Sequence, residues 1–342
     1  MLHPFSAFPS ALLALSLAGC SGGSFKAPGQ MVLDGNDVVL TALDDTRMFG
    51  KLIRTTPGGG DVAVLAGGTA DLDVGSVLAA DATSFYFPAR TPQSGFAQSI
   101  FSIARAGGAP VKLADTLQDV NGIAVAAGRV YWTGSTANDG GGIGSVTAVP
   151  TEGGTPVVIA SGQTVTGGLA VDANRVYWTV DTNPSNAAMP TGGVLSAPLA
   201  GGTPTSLATS SSHPAQIVSD GTSLFWLELG QLGIDCSTSG GQLMTLPAEG
   251  GAEPVVMASS VAGAIALAVS GSAVYLTAVG AICNAELSTD GSVVKVPRGG
   301  GVAVTLATGV PGPGAVVIDG SSLYVTTESG DTIDGAVRVE GD

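Results

Sequence analysis

The stretch Leu169-Ala170-Val171-Asp172, followed by Val176-Tyr177-Trp178-Thr179, decides the fold of this chain. An aliphatic run ends at an acidic residue, and a run of β-branched and aromatic residues starts four positions later. Short runs of this composition, separated by turn residues, are typical of paired antiparallel strands. The stretch therefore predicts two strands joined by a tight turn.

The second run recurs along the chain at a nearly constant spacing. Its middle residues are Val39, Tyr86, Tyr131, Tyr177, Phe225, Tyr275 and Tyr324, which are separated by 47, 45, 46, 48, 50 and 49 positions. Two further segments recur in step with it. One opens with Gly and often ends with Pro, as in 144–150 and 291–297, and the other follows a Gly pair, as in 156–160 and 204–208. We name the four segments strands A to D.

Four-stranded repeats of about 40 to 50 residues are the signature of β-propeller blades, and closing the blades into a ring removes most exposed edges. The sequence predicts an all-β fold, a seven-bladed β-propeller of four-stranded antiparallel blades, over residues 31–342. The seventh copy ends within strand C, at 337–342, and lacks strand D. The segment 24–27 is the candidate for this missing strand.

The motif Leu-Ala-Val-Asp and Val-Tyr-Trp-Thr, with Gly-x-Val and Pro-x-x-Gly-Gly after it, resembles the YWTD and NHL group of propellers. It is also similar to the tandem propeller repeats of uncharacterised myxobacterial lipoproteins. The resemblance covers residues 31–342 and implies the fold, since propellers support unrelated activities. In YWTD propellers an Asp follows the Thr, whereas here Gly134 follows Thr133 and Val180 follows Thr179. The ligand-binding properties of that group are therefore not transferred to this chain.

The amino end carries an apolar run at 11–17, which is too short to span a bilayer and suits a signal peptide. The tetrapeptide that ends at Cys20 resembles the bacterial lipobox, which implies that Cys20 is acylated. We expect a lipoprotein signal peptide at 1–19, a tether at 20–30, export, and a membrane anchor through lipid on Cys20. Ser21 resembles the residue that sorts lipoproteins to the outer membrane. No Lys or Arg precedes the run, so either the start codon is misassigned or the signal is atypical. The alternative is an ordinary secretory signal in which Cys20 is incidental.

Charge and cysteine content narrow the classes of partner. The chain has 12 basic and 27 acidic residues, for a net charge of -15, which disfavours binding to nucleic acid.

With Cys20 assigned to lipid, Cys236 and Cys283 remain, and an even number of cysteines in an oxidising compartment favours a disulfide. The alternative is two free thiols. Two thiols are too few for a structural zinc site.

In a meander, the A-to-B and C-to-D turns lie on one face of the ring, which we call the turn face. The B-to-C loops and D-to-A connectors lie on the other, the loop face. The B-to-C loops vary in length and composition, as binding loops on rigid scaffolds do, although tolerated drift would look the same. The candidate site residues, all on the loop face, are His213, Asp139, Asp181, Asn183, Asp235, Asn284 and Asp331. His213 could act as a general base, but a histidine without a partner at a recognisable spacing is more often a surface residue.

Acidic residues recur at the A-to-B turn, at Asp34, Asp81, Asp172, Asp220 and Asp319. A carboxylate ring around a cation is one interpretation. The favoured one is that Asp accepts hydrogen bonds from backbone donors within turns. The aromatic residues of strand B are interpreted as packing between blades rather than as a ligand platform.

No nucleophile elbow, HExxH, P-loop or dinucleotide motif is present in a suitable context. We therefore expect no catalytic residue, no metal and no cofactor. The favoured function is a non-enzymatic binding or scaffold module of the cell envelope, a monomer with a protein or glycan partner. The alternative is a metal-dependent hydrolase or lyase of the propeller lactonase type. A purely structural role in coating the envelope stays open.

Overall fold

The computed structural model describes most of the chain after residue 29. The described residues are 30–43, 48–57, 62–93, 97–116, 119–135, 143–164, 166–181, 192–210, 213–229, 231–232, 238–259, 261, 263–279, 291–329 and 332–340. These residues form strands and turns. None of them belongs to a helix long and apolar enough to cross a membrane.

Thirty strands follow one another along the described residues. They are β1 (Met31–Asp34), β2 (Asp37–Leu43), β3 (Gly50–Thr55), β4 (Ala63–Gly67), β5 (Asp73–Val74), β6 (Ala79–Ala80), β7 (Ser84–Arg90), β8 (Ser99–Ala104), β9 (Val111–Asp115), β10 (Asp119–Ala126), β11 (Arg129–Ser135), β12 (Ile143–Pro150), β13 (Val157–Thr164), β14 (Thr166–Val171), β15 (Arg175–Asp181), β16 (Gly192–Pro198), β17 (Thr205–Ser210), β18 (Pro214–Ser219), β19 (Ser223–Glu228), β20 (Gln231–Leu232), β21 (Thr238–Ser239), β22 (Gln242–Pro247), β23 (Val255–Ser259), β24 (Ala264–Val269), β25 (Ala273–Ala278), β26 (Gly291–Pro297), β27 (Val304–Val310), β28 (Val316–Asp319), β29 (Ser322–Ser329) and β30 (Thr332–Glu340).

The strands pair in sequence order into antiparallel meanders, which are the blades of a propeller. Blade 1 is β1 to β4, blade 3 is β10 to β13, blade 4 is β14 to β17 and blade 6 is β24 to β27. Blade 5 is β18, β19, β22 and β23, and its B-to-C loop carries the small β20-β21 hairpin. In blade 2 the inner strand is divided into β5 and β6, which both pair with β7.

The prediction of an all-β propeller with four-stranded antiparallel blades is confirmed. The predicted number of seven such blades is not, since six are present. The last repeat forms a sheet of three strands, β28-β29-β30, because its strand C has no following strand among the described residues. We refer to it as the last sheet.

The core lies between the sheets rather than within any one of them. Apolar side chains form a layer at each contact between neighbouring sheets, and the aromatic residues of strand B occupy their centres. Trp178 and Tyr131, for example, share the layer between blades 3 and 4 and are essentially inaccessible. The predicted role of these rings in packing between blades is confirmed. A further layer, with Leu40 and Ile53 of blade 1 against Val317 and Tyr324 of the last sheet, closes the ring.

Hydrogen bonds from strand B also connect neighbouring blades. The Thr two positions after the central aromatic or Val residue donates to a backbone carbonyl at the start of the next strand A. The bonds run from Thr41 Oγ1 to Ser76 O at 2.9 Å, from Thr179 Oγ1 to Ala215 O at 2.9 Å, and from Thr277 Oγ1 to Gly314 O at 2.6 Å. Each bond sets the height of one blade against the next.

The A-to-B turns use their Asp residues as predicted. Asp172 accepts hydrogen bonds from the backbone N–H groups of Asn174 and Arg175 at 2.8 and 2.9 Å, and Asp81 does the same for Thr83 and Ser84. A second carboxylate oxygen then accepts from the Tyr of strand B five positions later, at 2.7 Å in both blades. Blade 3 has Ala126 at this position, and the buried Tyr131 hydroxyl has no hydrogen-bond partner there.

Every complete blade also contains a β-bulge that the sequence reading overlooked. The register of the C-to-D ladder skips one residue of strand D, and the skipped residue is always large and aliphatic or Met, followed by Ala. The pairs are Leu65-Ala66, Leu113-Ala114, Ile159-Ala160, Leu207-Ala208, Met257-Ala258 and Leu306-Ala307. Bulges increase the local twist of an edge strand, which protects an outer edge from uncontrolled pairing. We call this feature the bulge pair.

The Asp–Tyr contact yields a stability prediction with an internal control. We expect Tyr177→Phe to lower the free energy of unfolding by about 1–2 kcal/mol, because a bond to a carboxylate is lost. Tyr131→Phe should change it by less than about 0.5 kcal/mol or raise it, because the hydroxyl removed is buried and unbonded. Urea unfolding of both variants checks this. Equal losses in the two variants would contradict it.

The hydrogen bond from Tyr86 to Asp81 in blade 2 should lose its stabilising effect at high pH. Burial, together with the hydrogen bond to Asp81, raises the pKa of Tyr86 to about 12. A raised pKa in the folded chain means that the stabilisation is complete below the unfolded value of 10.0 and is lost as pH rises through about 12. The stability difference between the wild type and Tyr86→Phe should therefore be constant from neutral pH to about pH 9 and should shrink above it. Unfolding measured across this range tests the prediction.

Candidate functional site

Most of the predicted site residues lie outside the described part of the chain. These are Cys20, Asp139, Asn183, Asp235, Cys236, Cys283, Asn284 and Asp331. Asp181 is described through its backbone, at the end of β15, and His213 is described fully. The two belong to the B-to-C loop of blade 4 and to the connector from blade 4 to blade 5.

His213 has an unusual backbone conformation. Its φ is +52°, in the left-handed region that only a few per cent of residues other than Gly adopt, with Asn, Asp and His the most frequent among them. Pro214 follows it, and the residue before a proline ordinarily adopts an extended conformation. The backbone carbonyl of His213 accepts a hydrogen bond of 3.2 Å from the N–H of Leu229, which fixes the connector against the end of β19. Local strain of this kind is concentrated at functional sites.

Gly192 lets the end of β15, which carries Asp181, approach the connector that carries His213. Asp181 pairs with Gly192 in the B-to-C ladder of blade 4. A Cβ atom at Gly192 would lie 2.5 Å from the Val180 carbonyl oxygen and 2.9 Å from the Pro214 ring, so that only glycine permits this approach. The end of blade 4 therefore lies against the connector that carries His213. We call this region, on the loop face between blades 4 and 5, the 4/5 corner.

A carboxylate that the sequence reading overlooked also lies at the 4/5 corner. Glu228 pairs with Pro214, at the end of β19, and is 7% exposed. It lies on the same face of the strand as Trp226, which packs against Tyr177 and Val194 of blade 4. Among the described residues, its carboxylate accepts a hydrogen bond from Trp226 Nε1 at 3.3 Å. A buried carboxylate needs hydrogen-bond donors to offset its desolvation.

Comparison of the repeats shows how unusual Glu228 is. The equivalent position, three residues after the centre of strand B, holds Ala42, Ala89, Gly134, Val180, Ala278 and Thr327 in the other repeats. Six repeats thus place a small or β-branched residue there, and one places a charge. Alignment of the repeats against each other, position by position, would have detected this residue from sequence.

Two carboxylates of the turn face, Asp34 and Asp220, have several bonding partners each. Asp34 pairs with Arg54 and Arg105, and Asp220 accepts bonds from Thr222, Ser223 and Arg298. Burial raises the pKa of Asp220, but the hydrogen bonds from Thr222 and Ser223 and the charge of Arg298 outweigh it, and the net shift is downward. These carboxylates are fully engaged in holding turns and blades together.

Chemically, the 4/5 corner offers an acceptor and an imidazole. An ionised carboxylate accepts only, and it suits hydroxyl, amide or cationic donors on a ligand. Within the described ranges, no group of three or more His, Cys, Asp and Glu side chains is placed to hold a metal ion. Elsewhere, an open cavity of about 160 Å³ between blades 1 and 2 is lined by Thr41, Gly50, Val74 and neighbouring residues and is mainly apolar.

Comparison with known proteins supports the fold. No protein family and no curated protein matches the sequence. Among solved structures, the β-propeller domain of the Trilobed protease from Pyrococcus furiosus, described as having an open velcro topology, matches with a TM-score of 0.65 and 8% identity. The match covers 93% of this chain and 96% of that domain.

Two enzymes have similar folds. An oligogalacturonate lyase from Vibrio parahaemolyticus matches with a TM-score of 0.64 and 9% identity, over 95% of this chain and 92% of the lyase. A puromycin-hydrolyzing peptidase from Mycobacterium tuberculosis matches with a TM-score of 0.65 and 13% identity, over 99% of this chain. This chain spans only 55% of that peptidase.

The environment of Glu228 predicts an unusual mutational response. Glu228→Gln should leave the melting temperature unchanged or raise it, because it removes a buried charge to which the described residues supply one donor. Asp220→Asn, on the turn face, should lower the free energy of unfolding by about 1–2 kcal/mol, because its donors and Arg298 lose their partner. Thermal unfolding of the two variants at neutral pH compares them. A loss at Glu228 as large as that at Asp220 would assign Glu228 a structural role.

At this level of identity the solved structures show the fold alone, and on that evidence this chain is a β-propeller.

Proposed function

We propose that this chain is an exported binding propeller, anchored to the cell envelope through lipid on Cys20, that holds a glycan or protein ligand on its loop face without transforming it. The observation that carries the proposal is the contrast between the two faces. On the turn face, Asp34, Asp81, Asp172 and Asp220 are engaged in internal bonds. On the loop face, the buried Glu228 has one donor among the described residues, Trp226 Nε1.

Loop lengths support the same assignment. The A-to-B turns contain two or three residues in every repeat, whereas the B-to-C connections range from two residues after β29 to thirteen after β19. Constant turns on one face and variable loops on the other are the arrangement expected when a rigid scaffold presents a binding surface. The 4/5 corner lies at the base of two of these loops.

The entry point of the chain relates the anchor to this face. Gln30 N donates to Ser76 O at 2.9 Å, and Gln30 O accepts from Thr41 N at 3.1 Å, so the chain enters at the loop face. A tether of ten residues spans at most about 36 Å when fully extended. A lipid on Cys20 would therefore keep the loop face close to the membrane and restrict its ligands to the envelope.

Two finer structural features belong to the same proposal. The last sheet would be the seventh blade of a ring of the YWTD and NHL type, similar to those of myxobacterial lipoproteins, and the closing layer against blade 1 supports this. A disulfide between Cys236 and Cys283 would join the B-to-C loops of blades 5 and 6. By the loop-entropy argument it would contribute about 4 kcal/mol. Together they would make the loop face a rigid surface.

The alternative function is that of a hydrolase or lyase. His213 precedes Pro214, the backbone pairing partner of Glu228, so an imidazole and a carboxylate belong to the same corner, and a lyase with a similar fold is known. The binding function is preferred because the corner has a single imidazole and no group of potential metal ligands among the described side chains.

Export and anchoring are tested on the protein expressed in a bacterial host with an alkyne analogue of palmitate. The wild type should be labelled and should partition into the membrane fraction, and Cys20→Ser should be unlabelled. The mature chain, denatured without reductant, should show no reactive thiol. Labelling of Cys20→Ser would overturn the anchor, and two reactive thiols would overturn the disulfide.

Binding is tested on an array of envelope polysaccharides and peptidoglycan fragments. Wild type should bind a subset of spots, and Glu228→Gln should weaken this binding by about ten-fold or more, since a buried acceptor for ligand donors loses its charge. Asp319→Asn, at an exposed position of the turn face, is the control and should bind as the wild type does. Equal losses in both variants would contradict a loop-face site. Release of unsaturated products from oligogalacturonate would favour the alternative.

A further inference from the structure

We propose that the A-to-B turn of blade 3 is a binding site for a carboxylate, which Tyr131 and Arg129 hold by hydrogen bonds on the turn face. The carboxylate belongs either to a small organic acid or to a polypeptide C-terminus, since both present the same group. The site lies on the opposite face of the ring from the 4/5 corner, and it does not depend on the proposed function.

Blades 3 and 4 carry the same donors at the same place. Residues 129–133 and 175–179 share the sequence Arg-Val-Tyr-Trp-Thr in strand B. Residues two apart on a strand point to the same side of the sheet, so each Arg lies beside the Tyr of its own blade. Burial raises the pKa of both tyrosines, and the nearby charge of the Arg acts against this in each. Both blades therefore place a guanidinium close to a buried hydroxyl.

In blade 4 these donors have acceptors. The Tyr177 hydroxyl donates to Asp172 Oδ2 at 2.7 Å. Arg175 donates to Ser196 Oγ, from Nε at 3.2 Å and from Nη2 at 2.7 Å. Asp172 is the first residue of the A-to-B turn, and Ser196 pairs with Tyr177 across the sheet. One carboxylate and one hydroxyl thus satisfy the pair of donors.

Blade 3 lacks both acceptors. Ala126 and Ala148 stand at their positions, and Ala148 pairs with Tyr131. The Tyr131 hydroxyl and Arg129 Nε are buried, and neither has a hydrogen-bond partner among the described residues. Buried donors without acceptors are rare, because nothing offsets their desolvation. Two of them side by side point to an acceptor that comes from outside the chain.

The surroundings of the two donors define the class of acceptor. A guanidinium beside a hydroxyl matches a carboxylate, whose two oxygens accept several hydrogen bonds. Glu152 is bonded to Thr151 next to the turn, and its negative charge disfavours a dianion such as sulfate. On the side of blade 4, Leu199 packs against the same apolar layer as Tyr131. A monocarboxylate with a compact apolar group therefore fits best.

The turn gives a ligand access to the donors from solvent. Ala127 and Gly128 are exposed, and Ala126 and Arg129 are half-buried. An Arg side chain has many rotamers, so the guanidinium can turn outward to admit a carboxylate and then close on it. The site therefore forms at the surface of the turn face rather than inside the apolar layer.

Binding is tested by saturation-transfer NMR on the purified protein, with acetate as the probe. Acetate should bind saturably to the wild type with a dissociation constant of about 1–10 mM, because so small a ligand makes few contacts. Tyr131→Phe and Arg129→Gln should each weaken binding about ten-fold, and sulfate should not displace acetate. The proposal is overturned by the absence of saturable binding at about 100 mM acetate, by equal binding to all three proteins, or by displacement with sulfate.

Two substitutions in the turn form a matched pair. Ala126→Asp supplies the carboxylate from the chain itself and should abolish acetate binding. Ala127→Asp adds the same charge at the exposed neighbouring position, and its binding should stay within about three-fold of the wild type. Ala126→Asp should fold, because Asp34 stands at the equivalent position of a turn of the same register in blade 1. Acetate binding that survives in Ala126→Asp would contradict the assignment.

The source of the carboxylate is distinguished with N-acetyl-dialanine and its C-terminal amide. Tighter binding of the free acid than of acetate, lost in the amide, would identify a polypeptide C-terminus. Binding of acetate at least as tight as that of the peptide would identify a small organic acid. Equal binding of the peptide and its amide would show that the carboxylate is not what the site recognises, and would overturn the proposal.

Discussion

Everything in this molecule depends on the contact of one sheet with the next. A single four-stranded meander cannot cover the apolar side chains on the faces of its own sheet. Each blade is therefore stable only because strand B side chains of neighbouring blades fill the layers between the sheets. The bonds from Thr41, Thr179 and Thr277 to carbonyls of the following blade fix the relative height of the sheets at three of these contacts. Because every apolar layer contains residues of two repeats, the stability of one blade is coupled to that of its neighbours around the ring.

The two faces of the ring use their polar residues differently. On the turn face, Asp81 and Asp172 satisfy turn amides and a tyrosine of their own blade. Where strand B lacks that tyrosine, an arginine takes its place, as Arg105 does for Asp34 and Arg298 does for Asp220. On the loop face, Glu228 stands where the other repeats have small or β-branched residues, and among the described residues its carboxylate accepts from Trp226 Nε1.

The outer strands show how the ring limits pairing with other chains. A bulge at the same place in all six complete blades twists each edge, and the buried bulge pair ties it to the adjacent layer. At the last sheet this protection is missing among the described residues, and β30 presents strand C as an outer edge.

The sequence by itself determined the repeat, the order of the strands, the role of the turn aspartates and the burial of the strand B aromatics. All of these depend on short-range patterns that recur in step, such as Asp172 five positions before Tyr177. Only the tertiary structure decided how many blades are complete, because that depends on whether β30 finds a fourth strand. The same holds for the 4/5 corner. Glu228, Pro214 and Gly192 are brought together by the approach of two blades, and residues that belong to different repeats meet only when the ring closes.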